Sequence, residues 1–437
     1  MAGDVETVAS VFGRTGMVVA ASGDYSADQI RDTADRVMMT AAERARLARA
    51  VTVSEFGAAG DGLTDDTAAF LAAAAYVTAH RRMLRVPAGT YLLKQRITFA
   101  GAPLSLAGDG LGLSILKWTA DADSLGIAIT ANADTQFHHI RDLSFQVDRK
   151  GGTAITLDYS GEIDWGVIIP QKVHIFDRSS PRFLIENCLF RGARDIWSSG
   201  WDFGIDAIAA LKGTVLNCSF TGWQTGVKAT ANSPIAFHFH GVNDTYENGH
   251  PCEFLVTGCS IFNTTTAVCF RGIEGGYVEN CNLVGVWNGV VFDAPQVPLP
   301  VLNVANSHIN AFSACIIADD CDQVTIIGNS FYAFVDAVQV VAGVMLTGAS
   351  SGGCSWFKII GNDFVDSSTG GNRFNGIVVG RGAYGLIDGN TFRACVTAVW
   401  LTAGASNCKV GNMNVFAPAP AVRNQVYNQG PGNIIRA

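Results

Sequence analysis

From residue 140 onward, hydrophobic and polar positions along the chain recur in a six-residue unit. It reads IRDLSF at 140, IENCLF at 185, VLNCSF at 215, VTGCSI at 256 and VENCNL at 278. It continues as VANSHI at 304, IIGNSF at 326, IIGNDF at 359, IDGNTF at 387 and, more weakly, VGNMNV at 410. Position one is Ile or Val and position six is mostly Phe, Leu or Ile, the alternation expected within a strand. Successive units start 45, 30, 41, 22, 26, 22, 33, 28 and 23 residues apart. The minimum of 22 matches one turn of a parallel β-helix, and a leucine-rich repeat would need Leu at fixed offsets that are missing. A second apolar strand follows many units: AVCF at 267, GVVF at 289, ACII at 314, AVQV at 337, GIVV at 376 and AVWL at 398. Each coil is thus predicted as strand, turn, strand and a variable connection.

The fourth position carries Cys188, Cys218, Cys259 and Cys281, then Ser307, then Asn329, Asn362 and Asn390. Stacking of coils about 4.8 Å apart would align them. Cys there is expected to act as a small buried hydrophobe, and Asn to form an amide ladder that satisfies buried backbone groups.

Upstream, Val53–Phe56 is a short strand-like run, and Gly57, Gly60 and Gly62 form a turn around Asp61. Thr64, Asp65 and Asp66 offer an N-cap with acids in the first turn. A helix follows, with Phe70, Leu71, Ala74 and Val77 expected on one face. Met83–Val86 and Thr90–Leu93 read as strands around a Pro87-Ala88-Gly89 turn. A βαβ nucleotide-binding start is the competing reading, but its glycine pattern is absent.

Phe56-Gly57-Ala58, Gly60-Asp61-Gly62, Thr64-Asp65-Asp66-Thr67 and Val86-Pro87-Ala88-Gly89-Thr90-Tyr91 closely resemble the opening of the pectate-lyase-like superfamily. The resemblance implies an all-β, right-handed, single-stranded parallel β-helix with its N-terminal end plugged by a capping helix, here 65–80. It implies no particular reaction. Before it, VFGRTG, SGDY and DTADRVMMTAAERARL resemble a module near the start of phage tail fibres and tail spikes. That resemblance implies a short, partly helical leader, residues 1–50, held by a phage tail or particle protein or by the other subunits of a homotrimer. The β-helix body is then expected over 51–416, and the Pro- and Gly-rich 417–437 as an extended tail closing the solenoid or crossing to a neighbour.

Composition narrows the functional classes. Charged residues are 16% of the 437, Gly numbers 48 and hydrophobics reach 48%, which suits many buried coils joined by turns. The net charge of −8 argues against a nucleic-acid partner. No signal-peptide pattern and no apolar run of about 20 residues is visible, so no membrane insertion is expected. Eleven Cys without CxxC pairs support neither a disulfide scaffold nor a zinc site, and point to folding in a reducing host cytoplasm.

Chemistry is expected on the early insertions, because the core of such a solenoid is apolar. Residues 146–182 hold Asp148, Asp158, Glu162, Asp164, Trp165, His174 and Asp177. Residues 191–212 hold Arg191, Arg194, Asp195, Trp197, Trp201, Asp202 and Asp206. Residues 237–253 hold His238, His240, Asp244, Tyr246, Glu247, His250 and Glu253, and Trp223 lies between these two stretches. Glycoside hydrolysis needs two carboxyl groups about 5 Å apart for retention or about 6.5–9.5 Å for inversion. Asp202 or Asp206 with Asp244 or Glu247 are the candidate catalytic pair. A lyase would need a base beside a group that neutralises a uronate, and His240, Tyr246 and Arg194 are suitable types. Trp165, Trp197, Trp201 and Trp223 are candidate sugar platforms. His238-Phe239-His240 sets two imidazoles on one strand face, which permits a metal, but no third ligand is assignable, so no metal or cofactor is expected. Three roles remain open: a tail spike that binds bacterial surface polysaccharide, a depolymerase of the same architecture, and a purely structural spike of a virion.

Overall fold

The computed structural model describes residues 50–131, 137–160, 182–196, 198–210, 212–223, 234–241, 252–294, 299–334, 337, 341–348, 353–368, 373–418 and 421–436. The leader falls outside these residues, apart from Ala50. Residues 51–437 form a compact unit distinct from residues 1–50.

That unit is a right-handed parallel β-helix. Among the described residues, one face is a 14-stranded sheet running from Ala50–Thr52 through Phe183–Glu186, Gly213–Leu216 and Cys252–Thr257 to Ile434–Ile435. The other two faces together contribute 23 strands among the described residues. The second face stacks strands such as Ser144–Val147, Leu189–Gly192 and Ser219–Thr221. The third stacks Thr153–Asp158, Phe203–Ile208, Ile235–His240 and Thr266–Arg271. From Asn282–Asp293 onward, several rungs run the second and third faces together as one strand with a register shift at the corner.

The six-residue unit is not a single strand, as its alternation suggests, but a corner. In IENCLF, Phe183–Glu186 ends the first face and Leu189–Gly192 opens the second. The third residue turns the chain in the left-handed region. It is Asp142, Asn187, Asn217, Gly258, Asn280, Asn306, Gly328, Gly361 or Gly389 in successive units, at φ between 50° and 69°. Gly, Asn and Asp are the residues that adopt this conformation most readily. The bend directs positions one, four and six inward together, so Ile185, Cys188 and Phe190 are all fully buried. Position six builds an aromatic column, with Phe364 and Phe392 stacked at 4.8 Å, and Phe416, paired with Phe392 on the next rung, continues it at 5.3 Å.

The fourth position behaves as expected from its residue types. The side chains of Asn329, Asn362 and Asn390 are buried, and each Oδ1 accepts from the backbone amide of the rung before it. The ladder extends one rung further than the spacing shows, because Asn414 Oδ1 accepts the Asn390 amide at 3.0 Å. Cys188, Cys218, Cys259 and Cys281 each donate to the carbonyl two residues back at 3.2–3.4 Å. All eleven cysteines are unbridged.

The capping helix runs Thr67–His80. Asp65 rather than Asp66 caps it, its Oδ1 accepting the Thr67 amide at 3.0 Å. Asp66 instead turns back and accepts the amides of Ala59 at 2.6 Å and Gly60 at 3.2 Å. Phe70, Ala73, Ala74 and Val77 are buried against the first coil, whereas Leu71, expected on that face, is 37% exposed. A position one residue from Phe70 lies about 100° around the helix, off the buried stripe. At the other end, Val422–Asn428 and Ile434–Ile435 pair in parallel with the rung before them, so a solenoid rung occupies the stretch read as an extended tail.

Candidate functional site

Two clusters lie on the outer faces. The first is built by third-face register. In Phe203–Ile208 the residues Ile205 and Ala207 point into the core, which leaves Asp206 outside. In Ile235–His240 the residues Phe237 and Phe239 point inward, which leaves His238 and His240 outside. The two strands pair Asp206 with His238 and Ile208 with His240. His238 Nδ1 then lies 3.0 Å and His240 Nε2 3.2 Å from the same carboxylate oxygen, Asp206 Oδ1. The two imidazoles stack at 4.3 Å, 15° from parallel. Burial acts to raise the Asp206 pKa, but the hydrogen bonds and charges of the two histidines outweigh it and hold the carboxyl well below the usual range. Asp206 and His240, expected in different roles, are therefore one cluster. His238 completes it. The His-Phe-His alternation was visible, but the strand register that brings Asp206 alongside was not.

Asp202 sits apart, on the strand's entry. Burial raises its carboxyl pKa, offset in part by the backbone of Gly152 and the neighbouring Trp223 indole. Lys150 Nζ lies 4.6 Å above the centre of the Trp223 ring, covering a face that a sugar would use. Arg194 pairs with Asp148, and Lys117 approaches the other oxygen of Asp148 at 4.0 Å. Trp201 is a correction: it is fully buried, packs edge-on against Trp118 at 5.6 Å and donates its ring N–H to the Phe145 carbonyl. It is a core residue with no face for a ligand. Trp165, Trp197, Asp244, Tyr246 and Glu247 lie outside the described residues.

The second cluster lies on the first face and sequence reasoning missed it. The strands Leu299–Ala305, Cys321–Ile327, Lys358–Ile360 and Leu386–Asp388 align Asn303, Thr325, Lys358 and Leu386 in one outward column. Two residues before each of these stands Val301, Gln323, Trp356 or Tyr384, all left-handed at φ 70°, 60°, 57° and 56°. Such a φ is costly for a β-branched residue like Val301, so the surrounding rungs enforce it. Trp356 is 63% exposed and Tyr384 53%, and their rings stack at 4.8 Å. They border a groove of about 590 Å³ that also takes in Asn303, Gln323, Thr325 and Lys358. Asn303 Oδ1 is buried there without a hydrogen-bond partner among the described residues. A signal was present in the chain: Trp356 and Tyr384 each precede their six-residue unit by three residues.

The profile of the family described as rhamnogalacturonase A/epimerase, pectate lyase-like, matches residues 50–290. No curated protein matches in sequence. Among solved structures, the catalytic unit of a GH87 α-1,3-glucanase from Streptomyces thermodiastaticus has a TM-score of 0.55 at 13% identity, over 88% of this chain and 68% of that one. The surface adhesin PfbA of Streptococcus pneumoniae has a TM-score of 0.51 at 12% identity, over 88% of this chain and 91% of that one. Tailspike protein 3 of bacteriophage CBA120 has a TM-score of 0.46 at 13% identity, over 88% and 60%. At these identities the first two likenesses establish the fold alone, and the third carries no argument.

Proposed function

The chain belongs to the rhamnogalacturonase A/epimerase, pectate-lyase-like family, and from that premise we propose a virion tail-spike protein whose solenoid binds a bacterial surface polysaccharide. The observation that carries the reading is the exposed Trp356–Tyr384 pair beside its groove. Aromatic faces match the apolar faces of pyranose rings, and a few fixed polar groups set orientation. Asn303, Gln323, Thr325 and Lys358 are such groups, and the Lys358 ammonium suits an acidic sugar. The groove lies beyond the residues the family profile covers, so it belongs to this chain's own specificity. The leader's VFGRTG and SGDY stretches support residues 1–50 as the segment that attaches a homotrimer to a phage tail or particle.

The test is binding of the full-length protein to purified capsular and O-antigen polysaccharides and to intact cells. W356A and Y384A are expected to weaken binding roughly 10- to 100-fold with an unchanged β-rich circular dichroism spectrum. Full binding by the double variant would remove the groove from the reading, and no binding to any glycan or cell would leave a structural spike. Cleavage is the second reading, favoured by the half-buried Asp202 carboxyl, whose raised pKa suits a general acid. Release of reducing ends, or of an unsaturated uronate, that disappears in D202N would establish it.

A further inference from the structure

Asp206, His238 and His240 have the arrangement of a three-ligand metal centre. Their donor atoms lie within 4.8 Å of one another. The two Asp–His separations, 3.0 and 3.2 Å, are close to the edge of a tetrahedron built on Zn–N and Zn–O bonds of about 2.0–2.1 Å, roughly 3.3 Å.

His240 Nδ1 lies 2.8 Å from the Gly241 carbonyl, so that nitrogen donates to it and Nε2 is the atom turned toward Asp206. The Gly241 carbonyl is the kind of outer partner that orients a metal-binding imidazole and fixes its tautomer.

We propose that Asp206, His238 and His240 bind one divalent transition-metal ion of the Zn²⁺ type on the outer third face. Two imidazoles and one carboxylate suit Zn²⁺ better than Ca²⁺ or Mg²⁺, which take oxygen ligands. On the next rung Cys269 follows His238 in register and Arg271 follows His240. The Arg271 charge is met by Asp293 at 3.1 Å. Three protein ligands with one further position is the pattern of a centre that takes a water or a ligand oxygen. The site is remote in sequence from the Trp356–Tyr384 groove, and its test does not depend on glycan binding.

The experiment uses the tag-free, full-length protein, stripped with chelator and titrated with ZnCl₂ by calorimetry and with CoCl₂ by visible absorption. One equivalent per chain is expected, with intense tetrahedral Co²⁺ bands. Zn²⁺ should also raise the melting temperature, because it binds only the folded chain. D206N and H240A are expected to lose at least roughly tenfold in Zn²⁺ affinity. Should either variant fold poorly, the Co²⁺ spectrum of the unaltered protein decides alone. Absence of stoichiometric uptake, octahedral Co²⁺ bands, or uptake unchanged in folded D206N and H240A would overturn the site.

Discussion

His138 is buried where a first-face strand begins, its Nδ1 accepting the Leu104 amide at 3.2 Å while Nε2 finds no partner among the described residues. Burial pushes its pKa down from 6.5 to about 4. The folded chain therefore binds fewer protons at this ring than the unfolded chain between those two values. Its contribution is intact above about pH 6.5 and is lost as pH falls toward 4, by about 3 kcal/mol at most. Denaturant titrations at pH 7 and pH 4.5 should show the unaltered protein losing about 2–3 kcal/mol more than H138N across that interval. Equal losses would mean that the ring is not the acid-sensitive group. The buried Asn residues at position four are instead matched rung to rung, and that matching was legible: the run of Asn there announced an amide ladder. The left-handed residue at position three was equally present as Gly, Asn or Asp, but alternation drew attention to the apolar positions on either side of it. The cost of an α-left conformation, about 1–2 kcal/mol for most residues, explains why so few residue types occupy that column.

Among the elements, the capping helix shows how far periodicity reaches. Its existence and approximate limits follow from helix formers and an acidic start, and of the four residues expected on its buried face Phe70, Ala74 and Val77 are there and Leu71 is not. Phe70 is 2% exposed and meets Tyr91 edge-on at 5.3 Å, while Leu71 is 37% exposed. F70A should therefore cost about 3–5 kcal/mol and L71A less than about 1 kcal/mol. Thermal melts of the two variants check the assignment, and comparable shifts would refute it. Strands were similarly legible one at a time, but register between them was not. Thirty-two residues separate Asp206 from His238, and neither spacing nor residue type says that they are neighbours. The insertions between early coils vary in length, so the ladder must be closed in space before the column of Asp206, His238 and Cys269 exists. Trp201 was misplaced for the same reason: an insertion residue by sequence, it folds under the rung and joins Trp118 in the core.

For the whole molecule, the tail-spike reading predicts a homotrimer. Sedimentation equilibrium of the full-length protein should give about three times the 46.2 kDa chain mass. Deleting residues 1–50 should leave the solenoid folded, because residues 51–437 form a compact unit of their own. The same deletion should abolish incorporation into particles. A full-length chain that sediments as a monomer at micromolar concentration would sink the trimer. A deletion that unfolds the solenoid would mean that the leader is part of the body rather than its attachment.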